Sequence, residues 1–317
     1  MSCDKFCLQP RRLQIWRQPT MARTQNLGIN PLPWILVDMS YNLDRDVLTR
    51  AMKELGGIGF DHITVEIPDG LTPRQYGALL SDNGFSPAPG YFSGRWSDHD
   101  SHAGLVEALK VHAAAHAELG LDRAFIAHDL VPERIARPAV GVAADPFRLA
   151  VIADGLALAA EAGVAEGVRY ALHPHVGSWI ETEEETRSVL DTTAGSDLFF
   201  GPDTGHLYWA GADPAALMRS YSDRIIAVHL KDVNMSARDT AIAKGDEYRA
   251  ATVVRHVWTE PGQGAIDFEE VFKSLPAAFD GWFVIEVDVP DAASAVESSA
   301  ISLAFVNQHP YFAPVTA

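Results

Sequence analysis

The stretch FFGPDTGHLYW, at residues 199–209, begins as an apolar strand and then turns polar at Asp203-Thr204-Gly205-His206. The chain becomes apolar again immediately afterwards, with Leu207 and two aromatic residues. Aspartate before Thr-Gly is a common turn former, so the motif alone leaves open whether Asp203 shapes a turn or carries a function. The surrounding sequence decides between these two interpretations.

Seven further β-rich runs flank this stretch and alternate with helical segments. The eight predicted strands begin near residues 26, 62, 86, 123, 169, 197, 225 and 282. Several helical segments end at glycine, and Asp145, Asp213 and Asp267 stand at N-cap positions. Such alternation is typical of a parallel sheet in the α/β class, and eight units predict a closed (β/α)₈ TIM barrel. An open doubly wound sheet is the alternative, but no Gly-x-Gly-x-x-Gly follows the first strand, which disfavours a nucleotide cofactor.

The predicted domain organisation is simple. Residues 26–317 are expected to form a single (β/α)₈ barrel catalytic domain, preceded by a flexible N-terminal extension at residues 1–25. Residues 235–264 separate the seventh strand from its helix, and insertions of this length in a compact domain are usually functional or mobile. We therefore expect a lid-like insertion over the barrel mouth.

Composition excludes several classes of protein. A net charge of −17 disfavours nucleic acid as a partner, because phosphate binding relies on a basic surface. Cys3 and Cys7 are the two cysteines, so no disulfide framework is expected, and this suits a cytoplasmic protein. No run of about 18 apolar residues predicts a membrane span. With 47% hydrophobic and 21% charged residues, the chain has ample material for a globular core.

Polar side chains end four successive predicted strands, from the fifth to the eighth. They are His173 with His175 in ALHPHVG, Asp203 in GPDTGH, His229 in AVHLKD and Glu286 in FVIEVD. Catalytic groups of α/β barrels lie at the C-terminal ends of strands, so these side chains are expected at one rim. Taken singly, Asp203 also fits a turn and His229 a core histidine, whereas the carboxylate of Glu286 among apolar neighbours would be costly to bury without a cation. Mixed nitrogen and oxygen donors favour Mn²⁺, Co²⁺, Zn²⁺ or Fe²⁺ over Mg²⁺ and Ca²⁺.

The motifs HPHVGSWIET, GPDTGHLYWAG, VHLKDVN, PGQGAIDF and GWFVIEVD occur in this order along the chain. In this respect the sequence resembles the xylose isomerase-like TIM barrel superfamily, the sugar phosphate isomerase/epimerase group. Within that group it is most similar to the 2-keto-myo-inositol (inosose) dehydratases. The resemblance covers about residues 26–290 and is more specific for the superfamily than for any one substrate.

The resemblance implies one divalent cation, expected to be Mn²⁺, held by His173, Asp203, His229 and Glu286. Isomerase and epimerase members carry glutamate at the first of these positions, whereas the dehydratase-like members carry histidine, as here. Pro174 interrupts the histidine run, so His175 stays open as an alternative ligand. The resemblance therefore favours a dehydratase over an epimerase that uses two carboxylates.

Five further side chains near predicted strand ends are candidates for proton transfer. They are His175, His128, Glu66, Lys231 and His206. Histidine suits such work because its usual pKa lies near neutrality. Structural roles remain open for several of them: Lys231 could pair with Asp232, Glu66 could cap the next helix, and His206 could orient a metal ligand.

Six rim residues are expected to contact substrate. They are Asn30, Trp34, Tyr91, Arg95, Trp96 and Trp209. Aromatic faces and amides suit a polyhydroxylated ring, which has an apolar C–H face and a polar edge. Packing between helices and loops is the alternative role for the aromatic residues.

These features together predict a metal-dependent carbohydrate lyase, as in inositol catabolism. Its substrate would be a keto-cyclitol or keto-sugar, with loss of the proton α to the ketone and elimination of a β-substituent. The alternatives are a sugar isomerase or 3-epimerase, the barrel subunit of a C-glycoside deglycosidase acting on 3-keto-glycosides, and a metal-free binding subunit. Tyr311, Phe312 and Val315 in the C-terminal tail suggest an apolar contact with another subunit, in a homo-oligomer or a complex.

Overall fold

Eight parallel strands alternate with helices in the structure, a computed structural model that describes residues 25–37 and 39–313. The strands are β1 (Asn26–Ile29), β2 (His62–Thr64), β3 (Ser86–Ala88 and Tyr91–Gly94), β4 (Arg123–His128), β5 (Arg169–Leu172), β6 (Phe199–Phe200), β7 (Ala227–Leu230) and β8 (Trp282–Ile285). Strand β8 pairs in parallel with both β7 and β1, and β1 pairs with β2. Parallel bridges at Phe200–Ile225 and Asp203–His229 join β6 to β7. The predicted TIM barrel is thereby confirmed.

The helices surround the barrel. They are α1 (Leu32–Ile35), α2 (Arg45–Ile58), α3 (Pro73–Asp82), α4 (His102–Glu118), α5 (Pro132–Ala136), α6 (Pro146–Ala165), α7 (Glu183–Thr192), α8 (Thr204–Trp209), α9 (Pro214–Ser220), α10 (Met235–Lys244), α11 (Phe268–Lys273) and α12 (Ala295–Gln308). The predicted N-caps are confirmed, since Asp145, Asp213 and Asp267 each accept a backbone N–H of the following first turn. None of the described helices is long and apolar enough to span a membrane.

Strand β3 was predicted as one run but is split at Pro89-Gly90. The N–H of Gly90 donates to Nε2 of buried His116 on α4 instead of a strand neighbour, at 3.1 Å. A Cβ at position 90 would lie 2.8 Å from this nitrogen and from the carbonyl oxygen of Val65. Glycine is therefore required where the strand passes the helix.

The insertion after β7 contains regular elements and packs against residues at the barrel mouth. It contains α10, a π-helical turn at Ala250–Val254 and a short strand, Trp258–Thr259, which pairs antiparallel with Asp232–Val233. Asp232 fixes the end of the insertion, because its carboxylate accepts the backbone N–H groups of Gly262, Gly264 and Ile266 at 2.9, 2.9 and 3.1 Å. Opening and closing of this segment stays a prediction.

The C-terminal tail differs from its prediction. Phe312 is buried at 2% exposure and packs on Phe272 and Phe283 of its own barrel, while Tyr311 stacks on Phe272. The expectation that Phe312 is displayed for another subunit is therefore wrong, since this ring joins an aromatic cluster of its own barrel. Tyr311 is only half-buried, and its contact with another subunit stays a prediction. Val315 and nearly all of the N-terminal extension, residues 1–24, lie outside the described residues.

Candidate metal centre

Four polar side chains converge at the mouth from the ends of β5 to β8. His173 and Glu286 directly follow β5 and β8, His229 lies within β7, and Asp203 precedes α8 as its N-cap. One potential ligand atom from each of the four lies within 4.8 Å of those of the other three. All four are buried, with at most 5% of their surface exposed. The predicted ligand set is thus brought together in space.

The donor atoms of this cluster are poorly satisfied by the protein itself. Among the described residues, no hydrogen-bond partner is found for either ring nitrogen of His173, for Oδ2 of Asp203 or for Nδ1 of His229. The other oxygen of Asp203 accepts the N–H of His206 at 2.8 Å, which fixes the carboxylate. Buried polar atoms are rarely left without partners. Two imidazoles and the Asp203 carboxylate with unpartnered atoms, next to the carboxylate of Glu286, fit a first-row divalent ion.

His229 lies between two carboxylates. Its Nδ1 is 3.3 Å from Oε2 of Glu286 and 3.7 Å from Oδ2 of Asp203. Burial lowers the pKa of His229, but these carboxylates outweigh burial and raise it to about 9. A divalent ion at this position would replace the proton, because imidazole ligates a metal in its neutral form.

Lys231 lies fully buried beside the same carboxylates. Its Nζ donates to Oε1 of Glu286 and Oδ1 of Asp288, both at 2.8 Å, and lies 3.5 Å from Oδ2 of Asp203. Burial alone would lower the pKa of Lys231, but the carboxylates raise it well above its usual range. The alternative pairing with Asp232 is wrong, since Asp232 is used by the backbone of the insertion.

Gly205 explains the Asp-Thr-Gly motif in steric terms. A Cβ at this position would lie 2.6 Å from Cγ of Lys231, closer than real Cβ contacts come. Thr204 adds a further constraint, because its hydroxyl donates to the carbonyl oxygen of Lys231 at 2.7 Å. The motif therefore places Asp203 at the cluster and leaves room for the lysine beside it.

Asn30 contacts the cluster rather than facing open space. Its amide nitrogen donates to Oε2 of Glu286 at 2.6 Å, and its amide oxygen accepts the N–H of Leu32 at 3.2 Å. The amide therefore holds one oxygen of the Glu286 carboxylate in place. The predicted contact of Asn30 with substrate stays a prediction.

We expect Asn30→Ala to weaken the binding of divalent metal by about 10- to 100-fold, the usual effect of removing a hydrogen bond to a metal ligand. Competition with a fluorescent chelator measures this on the purified protein. Asn26→Ala is the matched control, because the Asn26 amide binds backbone carbonyls at the opposite end of β1. Equal metal affinity in Asn30→Ala and wild type would contradict the assigned role.

A second group of histidines stands beside the first. His175 and His206 have ring centroids 3.7 Å apart, and both lie within ligand distance of His173. Nδ1 of His175 donates to the carbonyl oxygen of Val176 at 2.7 Å, which places its lone pair on Nε2. Burial first, and the charge of Lys231 second, lower the pKa of His175 to about 4. His175 is therefore neutral at physiological pH, with an available lone pair on Nε2.

His206 is more constrained than His175. Its Nδ1 accepts the N–H of Val176 at 3.2 Å, and its Nε2 lies 3.2 Å from Nζ of Lys231. It thus links the β5 loop to the buried lysine. The structure gives His128 a structural role, because Nδ1 binds the carbonyl of Asp129 and Nε2 accepts the N–H of Ser97. Neither nitrogen of His128 is free to exchange a proton with a substrate.

Two of the predicted substrate contacts are wrong. Trp34 is buried and its Nε1 donates to Glu54 on α2 at 2.7 Å. Trp96 is fully buried, and its Nε1 donates to the carbonyl oxygen of Ala127 at 2.9 Å. Both indoles fill the space between the barrel and its helices.

The other aromatic candidates lie nearer the cluster. Tyr91 makes an edge contact with His173 at 5.3 Å between ring centroids. Trp209 is buried and packs on Tyr248 and Trp258 of the insertion at 5.3 and 5.0 Å. It also borders a shallow outer recess beside Arg137 and Ile242. Arg95 is exposed, and its contact with substrate stays a prediction.

We expect Trp96→Phe to lower the free energy of unfolding by about 1–3 kcal/mol, because the carbonyl of Ala127 would lose its buried donor. KM should not change, since the indole lies in the core. Chemical denaturation together with steady-state kinetics separates the two effects. A raised KM without loss of stability would restore Trp96 as a substrate contact.

Several site residues were missed by the sequence analysis. Asp288 lies two residues after Glu286, and the strand period of two puts both on one face. Tyr248 stacks on His175 at 6.2 Å, and the ring of Trp258 lies 4.8 Å from Nζ of Lys231. Strand periodicity was available as a signal for Asp288. No local pattern marks the two aromatic residues, which come from an irregular insertion.

Comparison with known proteins agrees with this architecture. A family model described as xylose isomerase-like TIM barrel matches residues 50–307. An inosose dehydratase of Geobacillus kaustophilus is 25% identical over 86% of this chain and 92% of its own length. The rhizopine catabolism protein MocC of Rhizobium meliloti is 29% identical over 83% of this chain and 81% of its own.

Solved structures show the same fold. A sugar phosphate isomerase/epimerase from Parabacteroides distasonis superposes with a TM-score of 0.66 at 14% identity, covering 93% of this chain and 97% of that one. The IOLI protein with a bound zinc atom gives a TM-score of 0.63 at 15% identity, covering 88% of this chain and 96% of that one. At these identities the likeness establishes the fold alone.

Proposed function

Since the chain belongs to the xylose isomerase-like TIM barrel family, we propose that it is a divalent-metal-dependent lyase acting on a keto-cyclitol or keto-sugar. The enzyme would remove the proton α to the ketone and eliminate a β-substituent. The names of the curated relatives, among them inosose dehydratases, support this substrate class. The proposed ion is Mn²⁺.

The observation that carries the proposal is the buried cluster of His173, Asp203, His229 and Glu286. Among the described residues, ring nitrogens of both histidines and one oxygen of Asp203 have no hydrogen-bond partner. A bound divalent ion would act as a Lewis acid on the substrate carbonyl and so acidify the neighbouring C–H bond. A glutamate at the position of His173 would have added a third carboxylate to those of Asp203 and Glu286. The cluster therefore contains fewer carboxylates that could act as bases. This composition favours a lyase that uses a histidine base.

His175 is the proposed base. Its neutral ring has a lone pair on Nε2, and it is half-buried beside the cluster, where a substrate can approach. Tyr248 stacks on this ring and His206 packs against it, with 3.7 Å between the two imidazole centroids, so its orientation is fixed. Fixed orientation of a base contributes to catalysis by proximity.

Lys231 and Asp288 would balance the charge of the site. Lys231 lies against Glu286 and Asp288 and over the ring of Trp258. An ammonium group held here stabilises negative charge that develops on a substrate oxygen nearby. The tight contacts of Lys231 restrict it to this position.

The test is incubation of metal-loaded protein with 2-keto-myo-inositol in deuterium oxide, followed by mass spectrometry. We expect loss of one water from the substrate, and no reaction after removal of metal with a chelator. Incorporation of deuterium without loss of a group would instead establish an isomerase or 3-epimerase. Release of an aglycone from a 3-keto-glycoside, without water loss from the cyclitol, would establish a deglycosidase subunit.

The oligomeric state and the cellular location of the protein are expectations that accompany the proposal. A homo-oligomer or a complex with another subunit, and a cytoplasmic location, stay predictions. The described residues 25–37 and 39–313 supply all four proposed ligands, so one chain suffices to build the metal centre.

A further inference from the structure

A tyrosine and a glutamate form a close pair on the side of the mouth built by β1 and β2. Tyr41 lies on a short hairpin in which Leu36–Val37 pairs with Ser40–Tyr41. Its hydroxyl donates to Oε2 of Glu66 at 2.5 Å. Tyr41 is 55% exposed as a whole residue, so its ring is not enclosed by the protein. This pair has no part in the metal centre described above.

The position of Glu66 is fixed by the end of β2. The N–H of Glu66 donates to the hydroxyl of Tyr76 at 3.1 Å, and that hydroxyl donates to the carbonyl of Thr64 at 3.2 Å. Tyr76 is fully buried on α3. The backbone at Glu66 is therefore clamped, and the carboxylate is directed toward the hairpin.

The pair and the metal centre face the same space. Ile29 of β1 pairs with Ile63 of β2 and Ile285 of β8, so Glu66 and Glu286 follow strands separated only by β1. Two strand spacings amount to about 10 Å, which leaves room for a six-membered ring between them. His206 follows β6, which lies opposite β2 in an eight-stranded barrel. The histidines and the Tyr41–Glu66 pair thus approach the mouth from opposite sides.

We propose that Tyr41 is the catalytic acid that protonates the leaving group, and that Glu66 returns the proton to Tyr41. This inference rests on the proposed lyase function. The base on the β5 side takes the α-proton, the electron pair of that C–H bond forms the new C=C bond, and the C–O bond to the β-substituent breaks. The leaving oxygen takes the proton of the Tyr41 hydroxyl and departs as water. The phenolate oxygen then takes a proton from Glu66 in its carboxyl form. Glu66 regains this proton from solvent, and the base on the β5 side releases the α-proton to solvent.

The electrostatics of Glu66 suit this relay. Burial, opposed by the hydrogen bond from Tyr41 and aided by the charge of Glu286, raises the pKa of Glu66 to about 7. A carboxyl group with a pKa near the working pH both gives and receives a proton readily. Burial of the hydroxyl end of the ring, followed by the negative charge of Glu66, raises the pKa of the Tyr41 phenol, so the hydroxyl is protonated when substrate binds.

The alternative is that Tyr41 has only a structural role and holds Glu66 in place. The dependence of the elimination rate on the leaving group distinguishes this role from that of a catalytic acid. Hydroxide leaves poorly and needs a proton, whereas fluoride leaves without one. The experiment compares the 2-keto-cyclitol with its analogue that carries fluorine at the eliminated position, using metal-loaded wild type and Tyr41→Phe. Elimination is followed by mass spectrometry and α-proton exchange by NMR in deuterium oxide.

We expect Tyr41→Phe to lose about 100-fold in elimination of hydroxyl, the usual contribution of a general acid. Elimination of fluoride and exchange of the α-proton should stay within about threefold of wild type. Tyr221→Phe is the matched control, because Tyr221 donates to Asp191 at 2.7 Å in a similar exposed pair away from the mouth. It should leave both leaving groups unaffected.

Equal losses for hydroxyl and fluoride, or no loss for either, would overturn the role of Tyr41 while wild type still eliminates. Glu66→Gln provides a second variant, in which hydroxyl elimination should fall and fluoride elimination should persist. Failure of wild type to eliminate either group would overturn the proposed function, and this inference with it. Retention of bound metal in each variant verifies that the fold is intact.

Discussion

Replacement of Asp203 or Glu286 by alanine should remove the bound divalent ion and lower turnover on the order of 10³-fold, equal to about 4 kcal/mol of transition-state stabilisation. Each residue supplies a buried carboxylate to the cluster, and neither histidine of the cluster can replace that negative charge. Loss of one carboxylate also leaves Lys231 with fewer anionic partners. Both effects act against binding of a cation at this position.

Metal content per chain, measured by plasma mass spectrometry after dialysis, gives the result directly. Wild type should retain about one ion per chain, and both variants should retain far less. Glu269→Ala is the matched control, since Glu269 is an exposed carboxylate on α11 that pairs with Lys273. Metal retained by both Asp203→Ala and Glu286→Ala would favour a metal-free binding protein or a different site.

The second large effect concerns stability. We expect Lys231→Met to lower the free energy of unfolding of the metal-free protein by about 3–5 kcal/mol, the cost of leaving buried charges without their partner. Lys231 is the cation shared by Glu286 and Asp288, and it lies 3.5 Å from Asp203. Methionine preserves much of the side-chain volume, so the loss reports on charge rather than on a cavity.

Denaturant titration with and without metal measures this effect. Saturating divalent metal should restore part of the lost stability, because the ion balances Asp203 and Glu286, while Asp288 stays without its partner. Lys110→Met is the control, since Lys110 pairs with Glu107 on the exposed face of α4, where no measurable change is expected. Loss of stability that metal fails to restore at all would separate Lys231 from the metal centre.

The barrel could be predicted from the sequence because local signals and the global fold agree. Each strand is a short β-rich run, and aspartates that precede Pro146, Pro214 and Phe268 mark helix starts. Strand ends were less predictable. In β6 only Phe199 and Phe200 form regular strand pairs. Isolated β-bridges at Phe200 and Asp203 connect the end of this strand to β7. Barrel curvature determines such boundaries, and curvature is a tertiary property.

The metal centre was predictable for a related reason. In a parallel barrel the carboxyl ends of all strands meet at one rim, so polar residues that end successive strands must be neighbours. Tryptophans were not predictable in this way, because an indole serves a core and a pocket equally well. Trp34 donates to Glu54, and Trp96 donates to the carbonyl oxygen of Ala127. No local sequence pattern specifies either partner.

Tyr41 illustrates what only the folded chain reveals. It lies 25 residues before Glu66, and a hairpin must fold over the end of β1 before the two side chains meet. Lys231 and Asp288 are likewise 57 residues apart and meet only because β7 and β8 are adjacent. Contacts between residues so distant in sequence depend on strand order rather than on spacing.

The anomalous difference density of crystals grown with Mn²⁺ tests the metal assignment most directly. The account predicts one peak bounded by His173, Asp203, His229 and Glu286, and loss of that peak in Glu286→Ala. A peak bounded instead by His173, His175 and His206, the other group of potential ligands, would contradict the assignment. Absence of any peak at the mouth, in crystals with Mn²⁺ at saturating concentration, would contradict the metal-dependent mechanism itself.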